Sequence, residues 1–288
     1  MYNGILVINK PAGISSHGVV ARLRRILNEK KIGHGGTLDP MACGVLPVFV
    51  GRATRAAGCI QEGGKTYLAD MRLGLTTNTQ DTTGTVLTRQ DPVCTHADVE
   101  AALSAFRGEI SQLPPMYSAV SVGGVRLYRL ARQGVEVERA ARRVTVYALE
   151  LCGVRDNGDY ILKIDCSKGL YVRTLIDDLG RTLGCGAAMS ALCRTRAGIF
   201  TLEEAHTLDE IEQLQAEGTL AARFSCADRL FQAFPEYHAD NHNAARLKNG
   251  QHVPLPAPEG TVRVYSPEGF LGVAEVTRGV MKLEKSFY

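Results

Sequence analysis

The sequence predicts an α+β chain that ends in a small all-β module. Three observations carry this. Residues 4–9 and 45–50 are apolar runs of strand length, and between them 16–28 repeats its apolar positions with helical period. Residues 144–167 read as two or three strands around the turn Asp156-Asn157-Gly158-Asp159. From about Ala227 the texture changes to Pro and Gly turns between short strand-like runs at 262–265, 270–276 and 280–283. The 288 residues fit one large domain plus a small one, divided as 1–226 and 227–288, and an apolar content of 45% fits a sizeable core.

The elements follow in order. Lys10-Pro11-Ala12-Gly13 ends the first strand, and Ser15 or Ser16 caps a helix to about Asn28 that turns Val19, Val20, Leu23, Ile26 and Leu27 inward. The stretch His34-Gly35-Gly36-Thr37-Leu38-Asp39-Pro40-Met41-Ala42-Cys43-Gly44-Val45-Leu46-Pro47 organises the rest. Gly35 and Gly36 open backbone angles closed to other residues, and Pro40 keeps Asp39 out of helical geometry. Asp39 is therefore expected on a stiff loop anchored to a core strand, with its carboxylate free; a plain Asp-Pro turn is the competing reading. A helix is expected at 54–61 and a strand at 65–74, carrying Tyr67 as either a core residue or an amphipathic ring with a polar tip. A polar loop at 76–84, a strand from Thr85 and a helix at 97–107 come next. An insertion at about 115–143 follows, with Arg126, Arg129, Arg132, Arg139, Arg142 and Arg143 against two acids, and Tyr117 and Tyr128 interleaved. It fits an RNA-gripping element or a plain amphipathic surface helix. Residues 166–180 read as a strand, a Gly turn and a helix. Arg173 falls in that helix's first turn, an electrostatically poor place for a cation, which implies an acidic partner. Asp177 and Asp178, one residue apart on a helix, point different ways and read as structural. Residues 191–196 are expected to precede a strand at 198–201, and 207–215 to form a surface helix.

The net charge of +3 is mild, but its distribution is not. From Lys10 to Arg55 eight basic residues stand against Glu29 and Asp39, as a site for a polyanion would require; a solvated face is the alternative. The eight cysteines form no C-x-x-C pair, so no zinc site is expected, and free thiols fit a reducing cytoplasm. No signal peptide and no apolar run long enough to span a membrane is present. Neither G-x-x-x-x-G-K-[ST] nor H-E-x-x-H occurs.

The pattern G-[TA]-L-D-P-x-A-x-G-x-L-P around Asp39 strongly resembles the catalytic motif of the TruB-type tRNA pseudouridine synthases. The likeness runs from Gly4 to about Arg196 and includes three further segments: K-x-Y-x-x-x-x-x-L-G around Tyr67, P-P-x-Y-S-A at 114–119, and the stretch around Tyr171 and Arg173. The loop at 76–84 is similar to a T-D-T-x-D-x-x-G loop of that family, with Asn78 and Gln80 departing from the usual acids and Asp81 at the matching acid position, in a supporting role. Residues 246–253 more weakly resemble the opening of a PUA domain, a small RNA-binding β-barrel. The resemblance implies a mixed, mainly antiparallel sheet flanked by helices, a thumb at about 115–143 that closes on the tRNA T-arm, and a PUA-like C-terminal module.

It also implies an isomerisation of uridine to pseudouridine at position 55 of the T-loop, with no cofactor and no metal, because nothing is donated and no net redox change occurs. Asp39 would be the catalytic carboxylate, attacking the base, attacking the sugar or removing a sugar proton; the sequence is compatible with all three. Arg173 would pair with it and hold it charged and aimed. Tyr67 would stack on the flipped uracil and relay a proton from C5. Leu192 would lie against the base, Tyr171 would border the pocket and orient the pair, and His34 would prop the space left by the flipped base; an ordinary core leucine and a turn histidine are the alternatives. Lys10 is given no catalytic role. A monomer acting on tRNA without an obligatory protein partner is expected. The catalytic subunit of a guide-RNA complex is the second expectation, disfavoured by a chain that opens directly on its first strand and ends in a short module. A non-catalytic tRNA-binding or folding protein is the third.

Overall fold

The computed structural model describes residues 2–255 and 258–288. The chain opens with β1 (Gly4–Lys10), α1 (Ser16–Leu27), β2 (Ile32–His34) and β3 (Cys43–Val50). The helix starts where its sequence allows: Ser15 Oγ accepts from Gly18 N, and Asn28 closes it in left-handed geometry at φ 48°. Ile26 is half-buried, and the other four apolar positions expected to face inward are buried. Then come β4 (Lys65–Leu73), β5 (Leu75–Thr77), β6 (Val86–Arg89), α2 (His96–Leu103) and β7 (Gly108–Gln112). The insertion contributes a small hairpin, β8 (Ser121–Val122) and β9 (Val125–Arg126), and a short helix, α3 (Leu127–Arg132). The long pair β10 (Arg142–Val154) and β11 (Tyr160–Cys166) leads to α4 (Val172–Thr182), β12 (Ala187–Ala197), β13 (Phe200–Thr201) and α5 (Leu208–Ala216). The last part holds β14 (Glu236–His238), α6 (Asn241–Lys248), β15 (Val253–Pro254), β16 (Gly260–Ser266), β17 (Gly269–Thr277) and β18 (Val280–Ser286).

The main sheet runs β1-β3-β12-β4-β11-β10-β7, with β2 added on β3 and β13 on β12. Its pairs are antiparallel except β3 with β12. Residues 5–8 of β1 and 45–50 of β3 are apolar runs because both faces are covered. On one face, Leu6, Ile8, Leu46 and Val48 pack with Val19, Leu23, Leu208 and Ile211 of α1 and α5. On the other, Ile5, Val7 and Phe49 pack with Phe200, Phe231, Val273 and Phe287, so one apolar cluster joins the main sheet to the C-terminal part. A third cluster gathers α2 and α4 beneath β4, β10, β11 and β12 and includes Leu38, Tyr67 and Leu192. The C-terminal sheet is ordered β14-β16-β17-β18-β15 around its own core of Val264, Leu271, Val276 and Met281. It is curled and consistent with a PUA-like module, and the whole is the mixed α+β architecture that the sequence predicts.

Two expectations change. Residues 54–61 do not form one helix: short 3-10 turns at Gly51–Ala56 and Cys59–Glu62 are separated by Ala57 and Gly58, where glycine weakens a helix by about 1 kcal/mol relative to alanine. Residues 191–196 do not precede a strand but form the heart of β12, the strand that joins β3 to β4. Two register shifts, at Met189/Ala191 and Arg194/Arg196, break the alternation that would reveal it.

The β3–β12 seam is tight at Gly44. Its φ is +100°, and a Cβ there would lie 2.2 Å from the Arg194 carbonyl oxygen. Gly44→Ala combines a left-handed strain with a backbone clash and is expected to cost about 3 kcal/mol of stability. Urea unfolding checks this; an unchanged midpoint would contradict the close approach.

Candidate active site

The Asp39 loop is fixed from both sides before any substrate arrives. Ser16 Oγ accepts from Leu38 N at 2.8 Å and donates to Leu38 O at 3.0 Å. Lys10 is buried and donates to Ile14 O at 2.6 Å, Pro11 O at 2.9 Å and Pro40 O at 3.3 Å, so the residue after Asp39 is tied to the end of β1. Burial pushes the Lys10 ammonium down to about 8, while Cys43 and Asp39 pull it back up. On the far side Arg194, 1% exposed on β12, reaches the carbonyls of Gly36 and Val45.

Arg173 meets Asp39 from the first turn of α4. Its Nε lies 2.9 Å from Asp39 Oδ2; the Arg173 side chain is 5% exposed and that of Asp39 34%. The rest of the guanidinium is occupied: Nη1 donates to Thr79 O at 2.9 Å and Nη2 to Tyr117 O at 2.8 Å. Asp81 stands behind it, Oδ2 3.7 Å from Nη1, while its other oxygen accepts from Thr79 Oγ1, Thr83 Oγ1 and Thr83 N. Gln80, in left-handed geometry at φ 63°, accepts from Thr174 Oγ1 and donates to Asp177 Oδ2. An acid at position 80 would face Asp177, so the amide found here is what makes this contact attractive. Asp177 and Asp178 both pair with Arg181.

Asp39 and Arg173 line a cleft of about 500 Å³ together with Tyr67, Tyr171 and Leu192. Tyr67 and Leu192 face the same side of the sheet: Tyr67 pairs with Arg194 and Ala69 with Leu192 across β4 and β12. Burial pushes the Tyr67 phenol up, opposed by the Arg194 charge. Tyr171 begins α4, and its backbone is held by the buried Gln112, which accepts from Tyr171 N at 2.7 Å and donates to Tyr171 O at 3.1 Å. Lys65, Arg142, Arg143 and Lys168 also line the cleft, with Asp39 as its acid. His34 is not in this cleft. It lines a second cavity of about 690 Å³ with His17, Tyr117, Tyr128 and Arg132, and this cavity adjoins the cleft, sharing Asp39 and Arg173 with it. The backbone N–H of Gly36 donates to His34 Nδ1 at 3.4 Å. Among the described residues, no group of three or more His, Cys, Asp or Glu side chains is arranged to hold a metal ion, and no helix is long and apolar enough to cross a membrane.

Sequence reasoning missed Arg194, Gln112 and the second role of Ser16. Only Arg194 left a signal: it is two residues after Leu192, so in a strand the two share a face. Ser16 was weighed only as a cap, and nothing local marks Gln112.

The His34 imidazole is held below its usual range, first by burial, then by the charges of Arg194 and His17. Between that value and about 6.5 the unfolded chain binds the proton more readily, so stability falls as the pH drops through this window. NMR titration of the His34 ring checks the sign; a midpoint above about 6.5 would contradict it.

Comparison with known proteins supplies the family. Residues 24–172 match the model of the TruB family pseudouridylate synthase N-terminal domain. Residues 173–231 match the tRNA pseudouridylate synthase B C-terminal domain, and 235–282 match pseudouridine synthase II TruB, C-terminal. The tRNA pseudouridine synthase B of Thiobacillus denitrificans is 46% identical over 96% of this chain and 93% of its own. That of Bacillus pumilus is 40% identical over 93% and 91%. A chain in the crystal structure of a Cbf5-Nop10-Gar1 complex is 27% identical and superposes with a TM-score of 0.74, covering 99% of this chain and 85% of that one. With a family model spanning its catalytic loop and relatives of this identity along nearly its whole length, the chain belongs to the TruB family of pseudouridylate synthases.

Proposed function

We propose that this pseudouridine synthase acts on tRNA, converting the uridine at position 55 of the T-loop. The observation that carries the reading is the half-exposed Asp39 carboxylate, clamped by Arg173 at a cleft floored by Tyr67 and Leu192 and walled by cations. The names of the relatives supply tRNA as the substrate class.

Flipping the base out of its stack costs a few kcal/mol. Stacking on the Tyr67 face returns about 1–3 kcal/mol of it. Asp39 drives cleavage of the N1–C1′ bond by one of the three routes open to a positioned carboxylate. The freed uracil turns between Tyr67 and Leu192 and rejoins through C5. C5 must then lose a proton and N1 gain one, and the Tyr67 hydroxyl is the group placed to relay the C5 proton. Tyr171 borders this space and starts the helix that aims Arg173. His34 lines the adjoining cavity, where the RNA strand would lie once its base has left. On this reading residues 1–226 carry the chemistry, the thumb at 115–143 grips the T-arm, and 227–288 extend the RNA contact. The chain works as a monomer without a protein partner.

A guide-RNA complex is the second reading, and the superposition on a chain that is held in a Cbf5-Nop10-Gar1 complex favours it to the extent that it shows this fold working with partners. The identity of that chain, 27% against 40–46% for the tRNA synthases, supports the first. Pseudouridine-specific primer extension on an unmodified tRNA transcript, with the pure protein and with Asp39→Asn, separates them. One new stop at the T-loop uridine, lost with Asp39→Asn while tRNA binding survives, is the expected result. Turnover that persists in Asp39→Asn would sink the assignment of the nucleophile, and a stop that appears only with an added guide would sink guide independence.

A further inference from the structure

Among the described residues Arg194 is the largest fully buried side chain, and no part of the reaction described above uses it. Its guanidinium has no carboxylate partner among the described residues. It donates instead to three backbone carbonyls: Nε to Val45 O at 2.8 Å, Nη2 to Gly36 O at 3.1 Å and Nη1 to Thr37 O at 3.5 Å. Gly36 and Thr37 precede Asp39 and Val45 follows it, so one planar group closes both arms of the loop. A buried cation facing only dipoles is an expensive arrangement for stability alone. The planar fork, with five donors in fixed directions, suits three acceptors at different heights in a way that an ammonium does not.

The strand that carries Arg194 also carries Leu192, and Arg194 pairs in register with Tyr67. Extension along β12 therefore sets the distance from the loop to both residues that would hold the base. We infer that Arg194 is a positioning residue for pseudouridine formation: it fixes the Asp39 loop against the strand pair that presents Tyr67 and Leu192. Its charge acts in the same place. It lowers the proton affinity of His34 and Lys65 and opposes the upward push that burial gives Tyr67. Lys10 ties the loop on its opposite shoulder through Pro40 O, so the loop has a strap on each side and the Asp39 carboxylate is left to Arg173.

This inference rests on the reading of Asp39 and Tyr67 given above. Its test uses the full chain and an unmodified tRNA transcript, comparing Arg194→Lys and Arg194→Met with Asp39→Asn and Tyr67→Phe. Arg194→Lys keeps the charge but loses the fork. Its kcat is expected to fall about 100-fold, the scale of an ångström misplacement, with KM and tRNA affinity held within about twofold. In a Tyr67→Phe background the loss from Arg194→Lys should shrink to about threefold, because groups that act together are not additive. If Arg194→Met does not fold, Arg194→Lys still decides. Wild-type kcat in Arg194→Lys, with Asp39→Asn inactive, would overturn the role of Arg194 alone, and so would losses that multiply with Tyr67→Phe. Full turnover in Asp39→Asn would instead overturn the reading of Asp39.

Discussion

One guanidinium joins four separate stretches of chain at the cleft. Arg173 binds the Asp39 carboxylate, the Thr79 and Tyr117 carbonyls and, more distantly, Asp81. A cation in the first turn of a helix opposes the helix dipole, and burying it adds desolvation. Both costs are met only when every donor direction is used, which requires the catalytic loop, the β5–β6 loop and the base of the thumb to arrive together. The ion pair therefore reports on assembly of the site as well as holding the carboxylate. Tyr117 offers a backbone carbonyl here, so the thumb's root is fixed by its chain path and its side chains remain available to RNA.

The second constraint is the sheet seam. Strands β3 and β12 run parallel, and the Asp39 loop ahead of β3 and Leu192 of β12 both line the cleft. Gly44 permits the contact, and Arg194 uses it. Tyr67 and Leu192 reach the cleft from strand positions paired on both sides, so this wall of the cleft is held firmly.

Much of this was legible in the sequence, in proportion to how local the cause was. The cap at Ser15, the buried run of β3 and the strands after Gly260 depend on residues within a few positions, and they appear where periodicity puts them. A cation where a helix disfavours one marked Arg173 as needing an acidic partner, and the family resemblance named Asp39 as that partner. What stayed hidden is set by partners far along the chain. β12 mixes alanines, a cysteine and arginines and breaks its alternation twice, so nothing local marks it as central. Gln112 matters only because it meets the backbone of Tyr171, 59 residues away. His34 was expected beside the Asp39 loop, and it lines the cavity that adjoins the cleft and shares Asp39 with it, though its position five residues before Asp39 names no partner.

The charge pattern separates the floor of the site from its walls. Lys10 and Arg194 are buried and spend their protons on carbonyls, whereas Lys65, Arg142, Arg143 and Lys168 line the cleft itself. The buried pair hold the loop in place through its carbonyls, and the lining cations leave a positive field across the cleft. Such a field attracts the phosphates of a polyanion, while Tyr67 and Leu192 give the same cleft an apolar wall. This division explains how a protein of nearly balanced net charge can concentrate its affinity for RNA at one place, and why the Asp39 carboxylate must be clamped there: set among so many cations, an untethered acid would pair with whichever one came nearest.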